Sequence, residues 1–366
     1  MRLREAGITL EWQLEGGRLN AITDVPGVLV GHDVLDGDGD PAARTGVTVV
    51  RPHPGSLWQE QCRAGVYALN GAGEMAGWLQ IQEHGLLQTP IWLTGTAGAG
   101  RVYDAAYEWM LETNDDLARD GSYLIPCVSE TCDHFLNDIR RYRAGRTEVR
   151  RALEAANGTL PAEGGVGAGR GMICYEFKGG IGTASRRIPE SDYTVGALTL
   201  CNFGHRQELT IGGVRVGERL KDVPKPGSPQ PPSGGTGDGS IVMVIATDAP
   251  VLSHELRRLA KRASLAVIRT GSVGHHNSGD LSIAFSTANL VPKNRHGADL
   301  TPREIAPRPF DAWLFTAAIE ATEEAILNAL CQAETTTGQE GRVVHRLPVD
   351  RLREELGRER PALVRG

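Results

Sequence analysis

A chain of 366 residues with a formal charge of −6 is long enough to bury one large α/β core or two smaller ones. Its acidic balance excludes the clustered Lys and Arg surface that phosphate-backbone binding needs, so no nucleic-acid partner is expected. The one short basic run, Arg140–Arg141 with Arg143, reads as a solvated helix face. Met1-Arg-Leu-Arg-Glu-Ala-Gly7 lacks the apolar segment of a secretion signal, and no run of about 18 apolar residues follows; a soluble, cytoplasmic protein without membrane contact is therefore expected. Six cysteines (Cys62, Cys127, Cys132, Cys174, Cys201 and Cys331) stand mostly in apolar or helical contexts, as reduced core residues do, and imply no disulfide framework.

The first strand expected in chain order is Gly46–Arg51, rich in β-branched residues; Ile91–Thr94 is the second. Helical spacing runs over Glu74–His84 and Arg101–Leu111, the latter with Tyr103, Tyr107 and Met110 or Leu111 on one stripe that reads as core packing. Thr194–Cys201 is a further strand, and Leu209–Ile211 opens a turn-rich piece ending near Val216. Residues 222–239 are Pro, Gly and Ser almost throughout and predict a mobile loop or linker. It ends on Ser240, where the apolar run Ile241–Ala246 predicts a strand buried on both faces. Pro250–Ala266 has a helical stripe, with Asp248 as its cap; Leu281–Ser286 alternates like a half-buried strand; Ala312–Leu330 reads as a long amphipathic helix, and the charged tail from Gly341 as peripheral. Few clean βαβ units follow residue 190, which points to layered α and β rather than a doubly wound sheet.

Several signals fail as ligand sites. Cys127, Cys132 and His134 have no second pair at zinc spacing. Asp36, Asp38 and Asp40 mimic a calcium loop, but Pro41 and Val47 stand where that loop needs Gly and Glu. His275 and His276 are adjacent rather than one helical turn apart. No metal and no organic cofactor is expected.

Gly235-Thr-Gly-Asp-Gly-Ser240 has the glycines of an anion-cradling turn but neither the Lys nor the helix of a P-loop. It also has the composition of an ordinary loop. A third reading is chemical: a serine after glycine can attack the preceding carbonyl, and hydrolysis of the resulting ester leaves serine with a free α-amine. Such an amine, with an ordinary pKa of about 7.7 to 8.0, suits the role of general base beside its own hydroxyl.

Four segments decide between these readings: Leu19-Asn-Ala-Ile-Thr-Asp-Val-Pro-Gly-Val-Leu-Val-Gly-His32, Tyr175-Glu-Phe-Lys-Gly-Gly-Ile-Gly-Thr-Ala-Ser185, Gly239-Ser-Ile-Val-Met-Val-Ile-Ala-Thr-Asp-Ala-Pro250, and Ser278-Gly-Asp280 with Ala284-Phe-Ser-Thr-Ala-Asn289. Together they resemble the DmpA family of L-aminopeptidases, D-stereospecific enzymes and β-peptidyl aminopeptidases. The resemblance implies a four-layer α/β/β/α sandwich similar to the N-terminal-nucleophile hydrolases. It implies one domain made of two self-cleaved subunits, residues 1–239 and 240–366, assembled as a homo-oligomer. The substrates it implies are short peptides, amides or esters with a free amino terminus.

On this match the Gly239–Ser240 bond is the scission point and Ser240 the nucleophile. Ser278 and Asp280 correspond to the family's second serine and its acidic partner, commonly Glu; their two-residue spacing on an extended chain puts both on one face. Asn202 corresponds to the oxyanion asparagine, and Glu130 to the carboxylate that receives the substrate ammonium. Cys132 stands where the family usually has an aromatic residue. His205 has no assigned role, because the amine already supplies a base. Two alternatives are an acyltransferase of the ornithine acetyltransferase type, whose members use threonine at the scission point, and an uncleaved descendant retained for binding or assembly.

Overall fold

Runs of Val, Ile, Thr and Gly define the strands, and a period of two within them assigns each face to a layer. The computed structural model describes residues 1–119, 121–227, 239–293 and 310–365. Its strands are β1 (Leu29–Leu35), β2 (Thr45–Arg51), β3 (Glu60–Gly71), β4 (Met75–Ala76), β5 (Leu86–Leu87), β6 (Ile91–Gly95), β7 (Cys127–Thr131), β8 (Ile173–Cys174), β9 (Phe177–Lys178), β10 (Gly180–Arg187), β11 (Thr194–Asn202), β12 (Ser240–Thr247), β13 (Gly279–Pro292), β14 (Thr336–Thr337) and β15 (Val343–Val344). The helices are α1 (Trp78–His84), α2 (Ala99–Thr113), α3 (Arg146–Ala155), α4 (Val216–Arg219), α5 (Ser253–Arg269), α6 (Phe310–Gln332) and α7 (Val349–Glu359).

Two mixed sheets result, one in the order β1-β2-β6-β7-β4 and one in the order β10-β11-β12-β13-β3-β5. Each contains one parallel pair, β6 with β7 and β12 with β13, joined through α2 and α5 respectively as crossover helices. On β12, Val242, Val244 and Ala246 face the other sheet, where they meet Val50, Ile91 and Leu93. Ile241, Met243 and Ile245 face the opposite way, against Leu256, Ala260 and Ala263 of α5 and Ala317 and Ala321 of α6. On the far side of the five-stranded sheet, Val47, Val49 and Trp92 pack against Val102 and Met110 of α2 and Val149 and Ala152 of α3. The layers run α/β/β/α, the sandwich expected from the sequence. Such stacking buries apolar surface at about 25 cal/mol per Å² on every internal face.

Local expectations were revised in several places. The helix expected over Glu74–His84 is split, because Met75–Ala76 pairs with β7 and Gly77 takes a left-handed φ of +84° before α1 starts. Asp248 does not cap α5; its carboxylate accepts the Thr194 N–H at 2.7 Å, and the α5 amide at Leu252 is held by Glu255 instead. Leu281–Ser286 is buried on both faces rather than half-buried, since β3 continues the sheet beyond it. Helix α6 is not amphipathic. It is buried nearly all round, and its Glu320 and Glu324 are neutralised by Arg186 and Arg4. Arg140, Arg141 and Arg143 lie in a turn and the coil after it, not on a helix, with Arg141 paired to Asp40. The tail is not peripheral, because Leu347, Leu352, Leu356 and Leu363 belong to the core beside the N-terminal segment. Of the expected linker 222–239, residues 228–238 lie outside the described residues. Its head is held by Arg206, which donates to the Val223 and Pro224 carbonyls, and by a Lys225–Glu176 ion pair at 2.8 Å.

Candidate active site

Ser240 is the first residue of β12 and lies between two strands. Across the antiparallel ladder it pairs with Asn202, the last residue of β11; across the parallel ladder it pairs with Gly279, the first of β13. Two of the segments singled out in the sequence thus converge with Asn202 at one end of one sheet. Gly279 N–H points at both atoms of interest: it lies 3.1 Å from the Gly239 carbonyl oxygen and 3.2 Å from Ser240 Oγ. Hydroxyl and preceding carbonyl therefore share one donor in the intact chain. Gly239 is required here, since any side chain would run into the Asn202 carbonyl oxygen and Phe203.

Ser278 and Asp280 flank that donor. Ser278 Oγ donates to Asp280 Oδ1 at 2.6 Å, as their spacing predicts; in the intact chain it does not reach Ser240. With its proton directed to Asp280, the hydroxyl keeps its lone pairs for an incoming N–H. Asp280 is buried, and among the described residues its Oδ2 has no hydrogen-bond partner. Burial raises its pKa above the usual carboxylate range, opposed by the Ser278 hydroxyl and by His275.

Asn202 is oriented from both ends. Its Oδ1 accepts the Ile173 N–H at 2.8 Å and its Nδ2 donates to the Cys132 carbonyl at 3.0 Å, which leaves one amide hydrogen uncommitted. The second contact crosses from the six-stranded sheet to the end of β7, and so brings Glu130 and Cys132 to the same rim. Gly73 sits between the two halves of the rim: a methyl in place of its hydrogen would lie 3.1 Å from Gly279 Cα and 3.5 Å from Glu130 Oε1.

Glu130 is only 6 % exposed. Oε1 accepts the Glu74 N–H at 2.9 Å and Oε2 accepts the Thr96 hydroxyl. Among the described residues no Lys or Arg pairs with it. The sequence signalled Glu130 but not its holders. Backbone donors such as Glu74, Ile173 and Gly279 leave no mark in a sequence, whereas Thr96, in Thr94-Gly-Thr-Ala-Gly98 directly after a strand, had a weak one.

The remaining candidates are dispersed. Cys127 faces the intersheet core, where burial pushes its thiol up to about 12. Cys132 is the exposed exception to the expectation of core cysteines, with Sγ 3.3 Å from His134 Nδ1; burial together with Asp133 and Glu130 holds its thiol above the ordinary range. His275 pairs with Glu208 at 2.9 Å and stacks edge-on against His205. Asp36 and Asp40 are engaged by Arg170 and Tyr142.

Residues 20–344 match peptidase family S58. The chain belongs to that family. Among curated relatives of the S58 chain, the β-peptidyl aminopeptidase BapA of Sphingosinicella microcystinivorans is 41 % identical over 98 % of this chain and 92 % of its own. A β-aminopeptidase from Burkholderia sp. superposes with a TM-score of 0.88 at 43 % identity, covering 98 % of this chain and 99 % of the other. The L-aminopeptidase D-Ala-esterase/amidase of Ochrobactrum anthropi, described as a prototype of the serine aminopeptidases and a new variant of the Ntn hydrolase fold, gives 0.87 at 37 % identity over 99 % of both chains. This S58 chain is an aminopeptidase with the N-terminal-nucleophile hydrolase fold, as its motifs led us to expect. Among its described residues no helix is long and apolar enough to cross a membrane.

Proposed function

We propose that the chain cleaves itself between Gly239 and Ser240 and then uses Ser240 to remove N-terminal residues from short peptides, amides or esters. The observation that carries this reading is the Gly279 N–H shared by the Gly239 carbonyl and the Ser240 hydroxyl. Ser240 Oγ attacks the Gly239 carbonyl carbon, and the Gly279 N–H stabilises the oxygen as it becomes negative. The C–N bond breaks as the hydroxyl proton passes to the departing nitrogen, giving an ester between Gly239 and Ser240 Oγ and a Ser240 amine. Water hydrolyses the ester to a Gly239 carboxylate, a free Ser240 hydroxyl and a free Ser240 amine.

In the mature enzyme that amine accepts the hydroxyl proton as Oγ attacks a substrate carbonyl and passes it to the departing amine or alcohol as the scissile bond breaks; water then hydrolyses the acyl-enzyme, releasing the N-terminal residue and restoring Ser240. Ser278, its own proton held by Asp280, accepts a hydrogen bond from the amine and fixes its orientation. The uncommitted Asn202 N–H faces the oxyanion, and Glu130 receives the substrate ammonium, which restricts cleavage to chain ends. Residues 1–239 and 240–366 remain one domain after scission, because β12 and β13 of the second piece lie between β11 and β3 of the first. No metal or organic cofactor enters the scheme. A cytoplasmic homo-oligomer of such two-subunit protomers completes the proposal, with light scattering as the check on assembly.

Intact-mass analysis with N-terminal sequencing tests the central step. A fragment beginning at Ser240 and ending at Gly366 is expected, co-purifying with residues 1–239; a full-length chain that persists through long incubation would refute self-cleavage. The named activities of the relatives differ, so turnover is assayed on amides carrying L, D and β N-terminal residues. Acetyl transfer without hydrolysis of any of these would favour the acyltransferase alternative.

A further inference from the structure

The amine seat is built differently on its two sides. The Glu74 N–H that holds Glu130 Oε1 lies on the main chain immediately before the sheet: β4 pairs with β7, Met75 opposite Ser129, and Ser129 Oγ donates to the Glu74 carbonyl at 2.9 Å. The donor to Oε2 is a side chain, Thr96, on the turn that follows β6. Strand β6 runs parallel to β7 with Thr94 opposite Glu130 and Gly95 opposite Thr131. The two carboxylate oxygens are thus gripped from the two strands that flank β7, which fixes the plane of the carboxylate about its last torsion. Each oxygen retains a lone pair for a ligand.

The Cys132 carbonyl, two residues beyond Glu130, is the acceptor that orients the Asn202 amide, so the seat that Thr96 steadies and the Asn202 amide share one short stretch of backbone.

We infer that Thr96 is a positioning residue for substrate recognition: it holds Glu130 in the orientation that receives the substrate ammonium. This rests on the reading of Glu130 given above. Thr96 does not touch the reacting atoms, so its removal acts on binding of the amine rather than on bond making. A hydrogen bond to a charged group is worth enough to change affinity roughly tenfold or more, and the loss falls on KM when an interaction is equal in ground and transition states.

The test compares Thr96→Val, Thr96→Ser and Glu130→Gln in the full-length, self-processed protein. Substrates are an amide with a free N-terminal amine and its desamino analogue, with scission yield and melting temperature recorded as controls. Thr96→Val is expected to raise KM for the amine substrate roughly tenfold or more, with kcat changed less than about threefold and the desamino substrate unaffected. Thr96→Ser, which keeps the hydroxyl, restores the parent KM. If Glu130→Gln discriminates between the two substrates and Thr96→Val does not, or if Thr96→Val lowers kcat on both alike, the inference is overturned while the Glu130 reading stands. If Glu130→Gln treats both substrates as the parent does, the Glu130 reading fails, and the Thr96 inference with it. If Thr96→Val misfolds, Thr96→Ala takes its place under the same criteria.

Discussion

The two sides of the site hold their key groups by different means. At the end of the six-stranded sheet, Ser240 is placed by backbone: two ladder partners, Asn202 and Gly279, and one N–H shared between hydroxyl and carbonyl. At the end of the five-stranded sheet, Glu130 is placed by one backbone donor and one side chain. Backbone placement is indifferent to most substitutions, whereas side-chain placement can be retuned one residue at a time. On the proposed roles of Ser240 and Glu130, the chemical step is thereby insulated and substrate choice is left adjustable. Cys132, exposed beside Glu130 where the DmpA family usually has an aromatic residue, lies on the adjustable side.

The strongest way to break the comparison is Ser240→Ala. Scission and turnover are both expected to vanish, leaving a full-length chain on denaturing gels. Stability should fall by only about 1 kcal/mol, since Ser240 loses one hydrogen bond and the ladder remains. Residual cleavage at residue 239 in that variant would show that another group supplies the nucleophile. Asn202→Asp comes next. The acceptor toward Ile173 survives but the donor is lost, so kcat should drop by roughly two to three orders of magnitude, the range for removing one oxyanion donor. KM for the amine should change little, the reverse of the pattern expected at Thr96. A rise in KM with unchanged kcat would move Asn202 to the recognition side.

The layers and the Ser278–Asp280 pair were legible for separate reasons. Ile241–Ala246 is uniformly apolar because both faces of β12 are covered, so its strand was legible without knowing its neighbours. Ser278 and Asp280 were legible as a pair because a spacing of two suffices on an extended chain. What escaped were relations set by tertiary contact: the split of Glu74–His84, where a two-residue strand recruited by β7 overrides helical spacing, and the capping role of Asp248, which the Thr194 amide takes instead. Helix α6 misled because its glutamates look like a solvated face; they are buried against Arg186 and Arg4, which come from distant segments.

The smallest expected effect concerns Lys178, which lies behind the insulated side. It is fully buried, and its ammonium donates to the Gly169, Met172 and Gly179 carbonyls at 2.9, 3.0 and 2.8 Å. Met172 precedes Ile173, whose N–H orients Asn202, so the buried cation supports the Asn202 amide through backbone once again. Among the described residues no carboxylate compensates it, and burial lowers its pKa from 10.5 to about 7. Between those values the unfolded chain binds the proton and the folded chain has released it. Stability from this group must therefore rise as pH climbs from about 7 toward 10.5, while below 7 the full cost of burying the charge is present. In the uncut Ser240→Ala background, where unfolding involves a single chain, the unfolding free energy of the parent minus that of Lys178→Met should increase between pH 7 and 9.5. A flat or falling difference would mean that the three carbonyls stabilise the ammonium well enough to cancel its burial. In that case Lys178 would be an ordinary charged anchor, and the backbone scaffold around Asn202 would not be sensitive to pH.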